Sequence, residues 1–202
     1  LSPDPDRYEH NYEHCDVLVV GSGPSGLSSA LAAAKNGARV ILAEDKAHFG
    51  GSLLNDDVTI GNMSGREWAS DVISQLKNMP NVVVKNRSQV FGYYDHNMTV
   101  MFERVSDHVE NPSKYTPRQR LHYIRAGEVI VSTGSIERPI SFGNNDRPGI
   151  FLSSAAREYM KVYETLVGRK PIIFTNNDSA YATALEFLRN DIKPIIVDTR
   201  DS

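Results

Sequence analysis

The sequence predicts an α/β fold in which a parallel sheet carries an inserted β-meander and leads into a second, degenerate α/β unit. Strand-length apolar runs alternate with helix-length amphipathic segments over most of the 202 residues. A strand, glycine loop, helix and strand follow one another near the start, and a strand–helix–strand order recurs near the end. Two right-handed βαβ units are therefore expected.

The first βαβ unit is the clearest. Residues 16–20 form a β-branched apolar run typical of a central parallel strand, and the loop 21–26 reads Gly-Ser-Gly-Pro-Ser-Gly. A helix is predicted over 25–36 because that stretch is rich in Ala and Leu and ends at Gly37. Residues 40–43 form the next strand.

The remaining elements follow from periodicity and turn residues. In the first half they are a helix at 65–79, a strand at 82–84, meander strands at 89–94, 98–105 and 118–125, and a sheet strand at 129–131. Beyond it they are a helix at 150–167, a strand at 171–174, a helix at 179–189 and a strand at 194–197.

These elements predict three segments. Residues 1–15 form an irregular arm, 16–167 a dinucleotide-binding domain with the meander at about 85–126, and 168–202 the start of a second unit. The chain begins without Met and stops after a strand-like run, so we expect a fragment of a longer protein.

Composition excludes several classes of protein. The net charge of -3 comes from mixed signs without a basic stripe, so no nucleic acid partner is expected. The apolar runs are far shorter than the roughly 20 residues needed to cross a bilayer, so neither a membrane partner nor a location outside the cytoplasm is expected. The single cysteine, Cys15, excludes an internal disulfide or dithiol and is interpreted as a packing residue.

The glycine loop predicts a phosphate site because its context is right. Gly21 permits a tight turn, Gly23 lets the backbone approach a pyrophosphate, and Gly26 lets helix and strand pack closely. An acid ends the second strand: Glu44 is favoured as the ribose acceptor over Asp45, with a solvated side chain as the alternative for either. A carboxylate disfavours a 2′-phosphate, so NAD or FAD is preferred to NADP.

Other small residues could complete the cofactor site. The Gly50-Gly51-Ser52 stretch is either a loop near the cofactor or a plain turn, and Thr133 and Gly134 end a buried strand. Arg138 could pair with a phosphate or with Glu137. The candidate cofactor-binding residues are Gly21, Ser22, Gly23, Pro24, Ser25, Gly26, Glu44, Asp45, Gly51, Ser52, Val90, Thr133, Gly134 and Arg138.

The second βαβ unit lacks the features that bind a nucleotide. Its loop, 175–180, reads Thr-Asn-Asn-Asp-Ser-Ala, and without glycine the backbone cannot crowd a pyrophosphate. Asp178 would repel phosphate, and Asp198 is interpreted as a strand-end residue. The six histidines lack a metal-ligand spacing, and no catalytic residue or metal site is predicted.

The glycine loop, the acid after the second strand, the Gly50-Gly51 pair and the meander resemble the flavoprotein architecture of the glutathione reductase type, with its Rossmann domains. Five strings resemble, more narrowly, the alpha subunit of heterotetrameric sarcosine oxidase. They are Gly51-Ser52-Leu53-Leu54, Phe91-Gly92-Tyr93-Tyr94-Asp95-His96-Asn97, Glu137-Arg138-Pro139, Asn145-Asp146-Arg147-Pro148-Gly149 and Thr175-Asn176-Asn177-Asp178-Ser179-Ala180-Tyr181.

This resemblance implies a function that the residues alone do not give. It implies that the chain binds a non-reactive NAD, with FAD as the alternative, and assembles with beta, gamma and delta subunits. The assembled complex, which also carries FAD and FMN, would demethylate sarcosine oxidatively to glycine, formaldehyde and hydrogen peroxide. The chain alone would be inactive. The alternatives are a free-standing FAD-dependent NADH oxidoreductase and a non-catalytic scaffold subunit of a proline or opine dehydrogenase complex.

Overall fold

A computed structural model of the chain describes residues 4–200, which divide into two compact units. The first unit contains residues 4–53 and 58–134, and the second contains 54–57 and 135–200. Residues 1–3 of the predicted arm and residues 201–202 of the predicted second domain lie outside the described residues.

The first unit is built on a six-stranded sheet. Its elements are β1 (Tyr8–Val20), α1 (Pro24–Lys35), β2 (Val40–Ala43), β3 (Thr59–Ile60), β4 (Met63–Ser64), α2 (Gly65–Lys77), β5 (Val82–Lys85), β6 (Ser88–Tyr94), β7 (Met98–Arg104) and β8 (Gln119–Val131). The sheet order is β5-β2-β1-β8-β7-β6, parallel from β5 to β8 and antiparallel from β8 to β6. This mixed sheet agrees with the predicted α/β class.

The predicted irregular arm is wrong from Tyr8 onward. Residues 8–14 are strand because they pair in parallel register with β8, Tyr8 opposite Gln119 and His14 opposite Arg125. The partner strand lies more than 100 residues away, so the local sequence, with its prolines and charges, did not reveal it.

The predicted strands 118–125 and 129–131 are one continuous strand, β8. The meander and the parallel sheet therefore share a strand instead of forming separate sheets. Gly127 lies beside Asp16 in the parallel pairing of β8 with β1, and a Cβ built on it would stand 2.8 Å from the carbonyl oxygen of Asp16. Glycine at this position allows the two strands to run on without a break.

Two helices cover one face of this sheet. Pro24 occupies the start of α1, where its missing N–H costs no hydrogen bond. Ser64 and Glu67 form a capping box at the start of α2, each side chain accepting from the other's backbone N–H. The core between these helices and the sheet contains Val19, Leu27, Ala30, Ala34, Val40, Leu42, Leu53, Ala69, Val72, Ile73 and Leu76.

The antiparallel strands contribute to a second core on the other face. Leu18 and Ile41 of the parallel strands pack there with Met101 and Ile124. The start of β6 reaches the end of β2, since the Ser88 amide donates to the Glu44 carbonyl over 2.7 Å. The Glu44 amide in turn donates to the Lys85 carbonyl over 2.9 Å, so β5 and β6 both fix the carboxyl end of β2.

The second unit contains α3 (Ser153–Val162), β9 (Ile172–Thr175), α4 (Tyr181–Arg189) and β10 (Ile195–Asp198), with β9 and β10 parallel. The α3 helix is shorter than predicted; Glu164, just beyond it, has a left-handed φ of 51°. The core of the second unit is formed by Met160, Ile173, Ala180, Ala184 and Phe187. Within residues 4–200 we find no helix with the length and hydropathy of a bilayer span, and no cluster suited to a metal ion.

Candidate functional site

The glycine loop connects β1 to α1, and two of its glycines are required by backbone packing. Gly21 has a φ of 98°, and a Cβ on it would stand 2.3 Å from the carbonyl oxygen of Ser132. A Cβ on Gly26 would stand 1.9 Å from the carbonyl oxygen of Gly21. Both positions exclude any larger side chain, since the obstructing atoms belong to the backbone.

The middle glycine, Gly23, is different because the fold does not require it. Its φ is -67°, and a Cβ built on it would meet nothing within 4 Å. Gly23 is also the N-cap of α1 and offers no side-chain cap. The first amides of a helix lack intrahelical partners and carry a partial positive charge, so the helix start at Gly23 is a favourable place for an anion.

The Gly50-Gly51 turn packs directly on this loop. The Gly50 amide donates to the Ser22 carbonyl over 3.1 Å. Gly51 has a φ of 54°, and a Cβ on it would stand 2.9 Å from the Cα of Gly23. The turn therefore supports the glycine loop, and the neighbouring Ser52 is exposed.

Glu44 ends β2 beside the loop and is 6% exposed. One carboxylate oxygen accepts the Ser22 amide over 2.9 Å, and the other accepts the Lys46 amide over 2.9 Å. Burial raises the pKa of Glu44, a hydrogen bond with Asp45 raises it further, and the bonds from Ser22 and Lys46 oppose this. Glu44 is not an ordinary solvated acid, whereas Asp45 is exposed.

The other candidates are divided between the two units. Thr133 and Gly134 follow β8 and are exposed, next to the Ser132 carbonyl that lies against Gly21. Ser132 was not among the predicted residues; only the packing reveals it. In the loop, Pro24 and Ser25 are exposed, whereas Ser22 is buried.

Val90 packs against the second core on β6 and is partly buried. Arg138 is exposed and belongs to the second unit. Its predicted alternative partner, Glu137, instead accepts the amide and hydroxyl of Ser154 over 2.8 and 3.0 Å. Glu137 therefore binds the start of α3.

The second loop forms a different structure. Residues Asp178–Ala180 make a 3₁₀ turn before α4. Arg200 donates to Asp178 over 2.7 Å and to Asp198 over 2.8 Å, and the Tyr181 hydroxyl also donates to Asp198. The hydrogen bonds from Arg200 are the largest cause that lowers the pKa of Asp198, and the bond from Tyr181 lowers it further. Sequence reasoning had missed Arg200, which pairs both acids within the second unit.

The sheet, the glycine loop and the buried acid at the end of β2 define an α/β domain of the dinucleotide-binding type. The chain belongs to the FAD-dependent oxidoreductase family, whose model matches residues 16–120. It is 45% identical to sarcosine oxidase subunit alpha of Rhizobium meliloti (strain 1021), over 98% of this chain and 20% of that protein. It is 38% identical to sarcosine oxidase subunit alpha of Corynebacterium sp. (strain P-1), over 98% of this chain and 21% of that protein.

The predicted resemblance to sarcosine oxidase alpha subunits is therefore confirmed, and the chain spans about a fifth of the length of the curated relatives it matches. Among solved structures, the L-proline dehydrogenase from P. horikoshii matches with a TM-score of 0.77 at 24% identity. That match covers 94% of this chain and 36% of the other. At this identity it supports the predicted fold class alone.

Proposed function

We propose that this chain is the dinucleotide-binding part of a sarcosine oxidase alpha subunit and that it holds NAD in the glycine loop. The observation that carries the proposal is Gly23, which is the N-cap of α1 and has open space where a Cβ would stand, so the fold does not require glycine there. The choice of sarcosine oxidase as the particular enzyme rests on the alpha-subunit relatives at 45% and 38% identity.

In this proposal each part of the site has one task. The amides at the start of α1 bind the pyrophosphate, and Gly23 lets it approach the backbone. Glu44 accepts a hydrogen bond from the ribose on the carboxylate oxygen that accepts the Lys46 amide, since the other oxygen already accepts the amide and hydroxyl of Ser22. Thr133, Gly134 and the Gly50–Ser52 turn border the ligand.

The bound NAD would be held without reacting, whereas FAD, the alternative, would supply two-electron redox chemistry. We propose that the chain has no catalytic residue of its own and that the chemistry belongs to the assembled complex in the cytoplasm. That complex would contain beta, gamma and delta subunits with FAD and FMN, and would convert sarcosine to glycine, formaldehyde and hydrogen peroxide.

Two measurements test the nucleotide proposal. Mass spectrometry of the small molecule released from the denatured 202-residue chain is expected to find NAD. Added NAD and ADP-ribose are expected to raise the melting temperature, because a ligand that binds only the folded state stabilises it. The proposal would be refuted if the denatured chain released neither NAD nor FAD and if neither NAD nor ADP-ribose raised the melting temperature.

A matched pair of glycine variants locates the site. Gly23→Ala is expected to keep the wild-type melting temperature within about 2 °C but to weaken ADP-ribose binding at least tenfold, because the added methyl fills the space proposed for the pyrophosphate. Gly143→Ala is the control, since a Cβ on Gly143 also meets nothing within 4 Å and Gly143 is not a site residue. Equal affinity in both variants would place the nucleotide elsewhere.

FAD has one specific observation in its favour, the match of residues 16–120 to the FAD-dependent oxidoreductase family. A yellow purified protein that oxidises NADH would establish the alternative of a free-standing reductase. A colourless protein that releases NAD and does not oxidise NADH would exclude it. An assembled complex that oxidises proline or an opine, and not sarcosine, would instead favour the scaffold alternative.

A further inference from the structure

Ser22 lies inside the glycine loop but does not face its open side. It is 1% exposed, whereas the next loop residues, Pro24 and Ser25, are exposed. A side chain this deeply buried has no surface with which to contact a nucleotide. Its bonds must therefore serve other parts of the protein.

Those bonds join three segments of the chain. The Ser22 amide and hydroxyl both donate to the same carboxylate oxygen of Glu44, at the end of β2. The Gly50 amide donates to the Ser22 hydroxyl oxygen over 3.3 Å and to the Ser22 carbonyl over 3.1 Å. The hydroxyl thus uses its one hydrogen and a lone pair at once.

The bond to Glu44 also has an electrostatic effect. Burial and a hydrogen bond with Asp45 raise the pKa of Glu44, and the Ser22 hydroxyl and amide lower it. The groups that meet Glu44 are Ser22 from the loop, Asp45 and the Lys46 amide from its own segment, and backbone atoms of Lys85 and Ser88. Among these groups, the Ser22 hydroxyl is the side-chain donor that favours the ionised form.

We propose that Ser22 is a positioning residue of the nucleotide site: it orients the Glu44 carboxylate that binds the ribose, and it fixes the Gly50-Gly51 turn against the loop. This inference rests on the proposed nucleotide-binding function. It assigns to Ser22 a role through Glu44 and Gly50, and no direct contact with the ligand.

The test measures ADP-ribose affinity by calorimetry between pH 5 and 8.5 for four forms of the 202-residue chain: wild type, Ser22→Ala, Glu44→Gln and the double variant. Ser22→Ala removes one hydrogen bond to a charged group and is expected to weaken binding by about tenfold or more. The pH midpoint of its binding is expected to move upward, because Glu44 loses a donor that stabilises its charge. The double variant is expected to lose less affinity than the two single losses combined, because part of the effect of Ser22 is exerted through Glu44.

Two further variants separate positioning from folding. Ser22→Thr retains the hydroxyl and is expected to keep the wild-type pH midpoint. Ser106→Ala is the control: Ser106 is also buried, and its hydroxyl donates to the Pro117 carbonyl over 2.9 Å. Its affinity is expected to equal that of the wild type even where its melting temperature falls.

The outcomes distinguish this inference from the proposed function. A wild type that binds ADP-ribose, with a folded Ser22→Ala variant of equal affinity or unchanged pH midpoint, would overturn the inference alone. Additive losses in the double variant would also overturn it. If Ser22→Ala does not fold, the midpoint of Ser22→Thr decides, because a shifted midpoint there contradicts a role for the hydroxyl. A wild type that binds neither ADP-ribose, NAD nor FAD would refute both.

Discussion

Replacing His122 with glutamine is expected to destabilise the first unit in a pH-dependent way. His122 lies on β8 with no exposed surface, and its two ring nitrogens stand 2.6 Å from carboxylates of Glu13 on β1 and Glu103 on β7. Lys85 on β5 stands 3.4 Å from Glu13, and Arg120 on β8 stands 3.2 Å from Glu103. Since both nitrogens face carboxylate oxygens, the arrangement favours the imidazolium, in which both nitrogens carry a hydrogen.

The size of the effect follows from what the substitution leaves behind. Glutamine keeps a donor but loses the charge, so two partly buried carboxylates are left with Lys85 and Arg120 to balance them. Removing one partner of a buried ion pair costs about 3–5 kcal/mol. Glu13 and Glu103 keep 23% and 19% of their side-chain exposure, which places the expected loss near the lower bound, about 3 kcal/mol.

The pH dependence follows from the direction of the pKa shifts. Burial alone would lower the pKa of His122, but the bonds to Glu103 and Glu13 raise it above its usual 6.5. Stability from the imidazolium is therefore complete below pH 6.5 and is lost as pH rises through the folded-state pKa. The bond from His122 lowers the pKa of Glu13. The pKa of Glu103 is also below its usual 4.5, although burial alone would raise it. The stability that these two carboxylates contribute is therefore lost on acidification.

Urea unfolding at pH 5.5, 7 and 9 measures these effects, with His108→Gln as the control at an exposed histidine. The difference between wild type and His122→Gln is expected to be largest at pH 5.5 and smallest at pH 9. A difference that stays constant over this range, or stays below about 1 kcal/mol, would refute an imidazolium at this position.

Two other predictions concern the packing of the first unit. Gly26→Ala is expected to cost about 3 kcal/mol in urea unfolding, because its Cβ would stand 1.9 Å from the Gly21 carbonyl oxygen; a loss below about 0.5 kcal/mol would contradict this geometry. Cys15 is 4% exposed, and burial is the main reason that the pKa of its thiol is raised to about 11. At pH 8 the thiol is therefore expected to react with a disulfide reagent far more slowly in the native chain than in guanidinium. Equal rates would show that the thiol is accessible.

Much of the architecture was predictable because its signals are local. The loop 21–26, the alanine-rich helix after it and the short β-branched runs each select a backbone conformation within a few residues. The predicted strand at 40–43 also located an acid at the strand's end, and in the structure that acid, Glu44, lies beside the glycine loop. The same local patterns predicted the strand–helix–strand order of the second unit.

The strand pairing was not predictable. The sequence could not show that residues 8–14 pair with β8, because that register depends on groups more than 100 residues away. The pairing of β8 with both β1 and β7 also brings His122 between Glu13 and Glu103. Strand partners are chosen by burial and by hydrogen bonds across the whole sheet, which no local window contains.

The sequence by itself determined the class of site: a strand, three spaced glycines, a helix and an acid, which together specify a place for a dinucleotide. Only the tertiary structure decided what each residue does there. It showed that packing requires Gly21 and Gly26, that Gly23 faces open space, and that Ser22 is buried against Glu44. The physical reason is that the spacing of glycines fixes where the backbone can turn, whereas exposure depends on the strands and turns that pack around it.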